Sequence, residues 1–258
     1  MIARRVLLLV ALLAACVSAW GQTTPTVVIT GLPSLAPPGT QSSATVSLSG
    51  APYALGITGT MTLSFAPAGG GTQAFDVKFA SGSPYTAIFT IAAGKTQGLF
   101  GTASSQPVMI GTVAGTITIT TTLQDSNGTT LPPPAPIIVT VNTTPPVIKG
   151  VTIGTVTGSG FNISVTGFSS TRDMTNAVFT FVAPTNATLT SSAITVPLTT
   201  AFTTWYGSAT STPFGSQFTM TVQFTYTAAP GTTVPFTALS VTMTNSKGTS
   251  NAFGPVNP

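Results

Sequence analysis

The stretch TITITTTL, residues 116–123, decides the fold. Ile117, Ile119 and Leu123 fall on alternate positions, with Thr between them. A period of two puts the apolar side chains on one side of an extended strand and the hydroxyls on the other. Thr suits the outer side, because its β-branch favours strand geometry while its hydroxyl stays hydrated. The alternation continues in both directions. The first half has TVSLSG (45–50), GTMTLSF (59–65), FDVKF (75–79), TAIFTI (86–91) and IIVTVN (137–142). The second half has GFNISVTG (160–167), AVFTFV (177–182), QFTMTVQFTYT (217–227) and LSVTMTN (239–245). Helical periodicity is almost absent from Thr26 onward. The chain reads as all-β, in antiparallel sheets with one buried face. The expected core is Val46, Leu48, Met61, Leu63, Phe65 and Phe89 in the first half. In the second it is Ile163, Val165, Phe179, Phe181, Phe218, Met220 and Val222.

Turn signals separate these runs at intervals of roughly 8–15 residues. Gly69-Gly70-Gly71 and Asp125-Ser126-Asn127-Gly128 read as hairpin or loop tips, and Pro132 to Pro134 as a loop or edge. Thr143-Thr144-Pro145-Pro146 is a short, extended Thr-Pro boundary. The two halves match as diverged copies: VSLSG (46–50) with ISVTG (163–167), SFAP (64–67) with FVAP (181–184), and FGTASS (100–105) with YGSATS (206–211). A repeat near 110 residues with about seven strands has the size of an immunoglobulin-like sandwich. The predicted organisation is a signal peptide over 1–21, one sandwich over 22–143, a linker over 144–146 and a second sandwich over 147–258. TPTVVIT, residues 24–30, reads as a first strand, either in its own sheet or donated to a neighbour's exposed edge.

With TRDMTNAVFTF, FTTWYGSATS and FGSQFTMTVQF in its second half, the chain resembles the bacterial secreted immunoglobulin-like tandem repeat proteins, a group of uncharacterised function. The resemblance covers most of the chain after the signal. It implies two tandem sandwiches acting as spacers, adhesive domains or assembly units, and it brings no catalytic residues with it.

The N-terminus reads as an export signal. Arg4 and Arg5 precede an apolar run from Val6 to Ala15, too short to span a bilayer. Val17-Ser18-Ala19 and Ala19-Trp20-Gly21 fit signal peptidase cleavage, whereas LLAAC, ending at Cys16, resembles a lipobox. Two readings stay open: secretion with Cys16 discarded, or a lipoprotein anchored to a bacterial membrane through Cys16. The body beyond the signal has no cysteine and therefore no disulfide.

Composition excludes more chemistry than the motifs suggest. Charged residues make up 4% of the 258, with seven Lys or Arg, three acidic residues and no His. Lys78, Lys95, Lys149, Arg172 and Lys247 are scattered singly, so the clustered cations that nucleic acid requires are missing. Without His there is no Ser-His-Asp triad, and zinc sites of Cys and His cannot form. Asp76 reads as part of an alternating strand, Asp125 as a turn residue and Asp173 as a partner of Arg172. No metal, cofactor or catalytic residue is expected.

Binding candidates are fewer. Trp205 and Tyr206 form an aromatic pair, read either as a core anchor equivalent to Phe100-Gly101 or as a sugar-stacking site. Arg172 and Asp173 read as a turn contact, with an inter-domain or ligand contact as the alternative. The expected function is a non-catalytic structural or adhesive module, secreted or in the cell envelope. The alternative is a carbohydrate-binding module around Trp205 and Tyr206. Partners would be an envelope or extracellular protein or polysaccharide, and the low charge permits self-association.

Overall fold

The computed structural model describes residues 24–70, 76–185, 187–227 and 236–258. The expected signal and Cys16 lie outside them. Eleven strands build a first sandwich. They are β1 (Thr26–Thr30), β2 (Leu35–Ala36), β3 (Gln41–Ser49), β4 (Ile57–Pro67), β5 (Lys78–Phe79), β6 (Thr86–Ile91), β7 (Gly98–Leu99), β8 (Gln106–Met109), β9 (Gly115–Asp125), β10 (Thr130–Leu131) and β11 (Ile137–Val141). One sheet runs β1-β3-β8-β5; the other runs β2-β11-β9-β4-β6-β7, with β10 on β9. All pairings are antiparallel except β2 with β11.

The second sandwich contains β12 (Val147–Ile153), β13 (Gly160–Phe168), β14 (Asn176–Val182), β15 (Ala193–Pro197), β16 (Gln217–Thr225), β17 (Ala238–Asn245), β18 (Gly248–Thr249) and β19 (Phe253–Val256). Its sheets run β12-β13-β16 and β15-β14-β17-β18, with β19 on β17. The chain is thus two tandem immunoglobulin-like β-sandwiches.

Alternation explains the layering. In β4 the odd positions from Ile57 to Phe65 are buried and the Thr and Ser between them face outward. The β4–β9 ladder runs from Ile57 opposite Asp125 to Pro67 opposite Gly115, so Thr60 faces Thr122 and Thr62 faces Thr120 on the solvent side. Cross-strand Thr pairs of this kind stabilise a sheet by a few tenths to about 1 kcal/mol each. The second core is more aromatic: Phe161 stacks on Phe224 at 5.4 Å and packs on Phe236 at 5.0 Å. Phe179 meets Phe224 edge-on at 5.0 Å.

Every expected core residue of the first sandwich is buried, as are Ile163, Val165, Phe179, Phe181 and Phe218. Met220 and Val222 are only partly buried. They sit on β16, the outer strand of a three-stranded sheet, where cover from the opposite sheet is incomplete. Two other expectations need correction. Asp76 lies in a turn, because the strand there contains only Lys78 and Phe79. The segment after Leu198 forms an α-helix, α1 (Thr199–Gly207), followed by a 3-10 turn over Ala209–Phe214. TPTVVIT pairs with β3 of its own sandwich, Val27 opposite Leu48, as the first of its two readings expects.

The repeat survives in topology where it fails in local conformation. FGTASS and YGSATS both lead into the third strand of the smaller sheet, one through a bridge from Phe100 to Ala103 and the other through α1 and the 3-10 turn. Their aromatic residues, Phe100 and Tyr206, are both buried.

Gly59 sits directly opposite Phe89, whose ring is fully buried. A methyl group there would lie 2.1 Å from the ring. Overpacking of this kind costs about 1–3 kcal/mol. Gly59→Ala is therefore expected to lower the unfolding free energy by that amount, read as a lower urea midpoint at unchanged m, and a midpoint equal to wild type would show that the ring can move aside.

Candidate functional site

The seam between the sandwiches is built from two loops. Thr112, just before β9, and Ser216, just before β16, bond to each other twice. The Ser216 amide donates to Thr112 Oγ1 at 2.9 Å, and Ser216 Oγ donates to the Thr112 carbonyl at 2.8 Å. Thr112 is in turn held by Asp76, whose Oδ2 accepts the Thr112 amide at 2.7 Å and its hydroxyl at 2.5 Å. The carboxylate lies against Gly215, where an added Cβ would come within 2.3 Å of Asp76 Oδ1. Gly215 has φ 63°, so both its space and its backbone demand glycine.

More bonds cross or brace the seam. Ala114 N donates to the Ser170 carbonyl at 2.9 Å. Thr144 N donates to Ser170 Oγ at 2.8 Å, and Asn245 Nδ2 donates to the Thr144 carbonyl at 2.9 Å. The predicted linker thus lies docked against the second sandwich.

The structure divides the sequence candidates. Tyr206 is buried, with its hydroxyl donating to the Ser216 carbonyl at 2.7 Å. Burial pushes its phenol above the usual range, and the nearby Arg172 only partly offsets this. Arg172 belongs with Tyr206: Nη2 donates to the Tyr206 carbonyl at 2.6 Å and the guanidinium lies 5.4 Å from the ring centre. Asp173 binds elsewhere, accepting the Thr171 hydroxyl at Oδ1 and the Ser246 amide at Oδ2, the latter at 3.0 Å. Asp125 Oδ1 accepts the Asn127 and Thr129 amides, both at 2.9 Å, and closes the β9–β10 turn.

Trp205 points the other way. It is half-buried, its indole donates to the Gln217 carbonyl at 3.4 Å, and its ring lies 6.2 Å from Phe214 at an angle of 33°. Phe214 is 50% exposed. These two rings border a cleft of about 660 Å³ between the sandwiches, whose other walls include Thr40, Asp76, Lys149 and Phe168. A second cleft of about 660 Å³ lies beside Arg172, Tyr206 and Lys247. Sequence reasoning finds Trp205 but not Phe214, Thr112 or Ser216. Phe214 follows Pro213 in an irregular stretch with no period to mark it, and the seam bonds join residues 104 positions apart.

Asp76 carries the electrostatic cost of the seam. Burial pushes its carboxyl above the ordinary 3.8, against the opposing pull of the Thr112 hydrogen bonds and of Lys78. Oδ1 is enclosed without a hydrogen-bond partner among the described residues. A raised carboxyl favours the protonated folded state, so its stabilising contribution is full below the unfolded pKa and is lost as pH rises through the folded one. Asp76→Asn keeps an acceptor for Thr112 and removes the buried charge. We expect the wild-type urea midpoint to fall as pH rises above the ordinary aspartate value of 3.8, and the variant to flatten that fall. An unchanged slope in the variant would reject Asp76 as its source.

No protein-family model matches the chain. No curated protein matches it in sequence. Among solved structures it is similar to the chicken CNTN1 FN1-FN3 domains, at 14% identity and TM-score 0.31 over 90% of this chain and 64% of that one. The chain therefore spans less than two thirds of that fragment. It is similar to a two fibronectin type-III domain segment from chicken tenascin, at 12% identity and TM-score 0.32 over 91% and 99% of the two chains. The class 5 fimbriae chaperone CfaA gives 10% identity and TM-score 0.26 over 90% and 100%. The immunoglobulin-like architecture assigned here rests on the strand order of the chain itself.

Proposed function

We propose that the chain is a non-catalytic structural or adhesive module, exported to the cell envelope or the extracellular space of a bacterium. The observation that carries this reading is the placement of the three carboxylates. Hydrolysis by paired carboxylates needs two of them flanking one bond. Here Asp76 holds Thr112, Asp125 holds a hairpin turn and Asp173 holds the Ser246 amide. Only Asp76 lines either of the two seam clefts. Each carboxylate is engaged with a backbone N–H, a role that organises loops.

The seam supports the mechanical side of the reading. A pair of sandwiches joined through buried backbone and hydroxyl groups transmits force without a slack linker. Few ion pairs also leave such a joint insensitive to salt. The partner surface is an envelope or extracellular protein or polysaccharide. Export follows from the Arg4-Arg5 and apolar N-terminal pattern, with Cys16 lipidation as the route to retention on a membrane.

Two experiments test this. Purified full-length chain offered ester, peptide and glycoside substrates is expected to give no turnover. Hydrolysis that disappears in Asp76→Asn or Asp173→Asn would overturn the non-catalytic reading. Expression in a bacterial host with labelled palmitate, followed by fractionation, is expected to place the chain outside the cytoplasm. Label lost in Cys16→Ser assigns a lipoprotein, and unlabelled chain in the medium assigns secretion. Retention in the cytoplasm would reject export.

A further inference from the structure

The Trp205–Phe214 cleft opens beside the Thr112–Ser216 bonds, with Asp76 and Thr112 in its wall, and it keeps two large rings partly in water. Exposing half of a Phe beside a half-covered Trp forfeits burial that the adjacent core could have supplied. The two rings border a seam cleft of about 660 Å³, within the range of small-ligand sites, which favour domain boundaries. The Trp205 ring is also held in place. Trp205 is held by its indole bond to Gln217 and by its place on α1, and the neighbouring Tyr206 is fixed to Ser216.

We propose that this cleft binds a neutral saccharide, with Trp205 and Phe214 as the stacking platform. Pyranose rings present a face of C–H groups that packs on aromatic carbon while their hydroxyls remain free to bond. Gln217 and Thr219, both exposed on the cleft wall, offer an amide and a hydroxyl, which match hydroxyl ligands. The lining contains one cation, Lys149, and one carboxylate, Asp76, so its formal charge is balanced. Lys149 lies over the Phe168 ring, 5.6 Å from its centre, and Asp76 is committed to Thr112. A balanced lining selects against strongly anionic glycans. This site differs from the aromatic pair expected from sequence, because Phe214 takes the place that Tyr206 was expected to hold. The proposal is independent of the envelope role: saccharide binding without turnover leaves the non-catalytic reading intact, and sugar release would overturn that reading alone.

The test uses the purified full-length chain on insoluble neutral polysaccharides (cellulose, chitin and a β-glucan), with soluble oligosaccharides titrated against tryptophan emission. Retention on at least one polymer is expected, with an emission change absent from Trp205→Phe. Phe214→Ala and Trp205→Ala are each expected to weaken binding about 5- to 10-fold. Phe214 is already half in solvent, so its variant should keep the wild-type urea midpoint and guards against mistaking unfolding for lost binding. Three outcomes overturn the proposal. They are no retention on any neutral polymer, retention unchanged in Phe214→Ala, or retention confined to acidic polymers and lost in Lys149→Ala.

Discussion

The two bonds that Ser216 donates to Thr112 fix the relation of the two sandwiches, and a chain of further contacts hangs on them. Ser216 is fully buried, so breaking the pair leaves donors and acceptors without water to replace them. Each unmet buried group costs about 1–3 kcal/mol, more than the net gain of an ordinary hydrogen bond. The sequence of contacts runs from Asp76 through Thr112 to Ser216, then by the Ser216 carbonyl to the Tyr206 hydroxyl, and from the Tyr206 carbonyl to Arg172. Asp76 is thus the far end of a network that positions α1. Its enclosed charge opposes the stability of the joint while its hydrogen bonds to Thr112 support it.

Helix α1 converts this rigidity into a surface. With Tyr206 tied down and Phe202 packed edge-on to Phe218 at 5.0 Å, the helix has one settled face. Trp205, one residue from Tyr206, is carried to a different side and comes to rest beside Phe214. A helix of nine residues with neither a side-chain N-cap nor charged ends has little stability of its own. Its formation here follows from the burial of Leu198, Phe202 and Tyr206. That burial also explains why adjacent aromatic residues serve different purposes, one as a core anchor and one as a cleft wall.

Strands were legible where burial has a simple period. Each alternating segment from TVSLSG to LSVTMTN contains or overlaps a strand, because a sandwich needs one apolar face per sheet. FDVKF was over-read: Val77 and Phe79 are buried as the alternation predicts, but the carboxylate of Asp76 takes backbone N–H from Thr112 and keeps the residue in a turn. The helix was illegible because TTAFTTWYG carries β-branched Thr at positions that propensity assigns to strands, and tertiary burial overrides that preference. Trp205 stood out as a rare aromatic residue. Its partner could not, since neither periodicity nor spacing encodes a contact made across a 3-10 turn.

Scarce charge creates a problem that the sheets solve in other ways. Charged edge residues are a common defence against strand-to-strand aggregation, and this chain has few to place. Four sheet ends are instead two-residue strands, β2, β5, β7 and β18, too short to template a partner. β12 carries both Lys149 and a register shift between Ile148 and Gly150, and β15 ends in Pro197. β16 has no charge and no proline over its nine residues, and among the described residues it pairs only with β13. Its protection is local to the seam. Trp205 already occupies the Gln217 carbonyl, and Phe214 stands beside that end of the strand. An incoming strand would therefore meet aromatic bulk at the cleft before it could pair along the full edge, so the rings that shape the cleft also limit the longest open edge among the described strands.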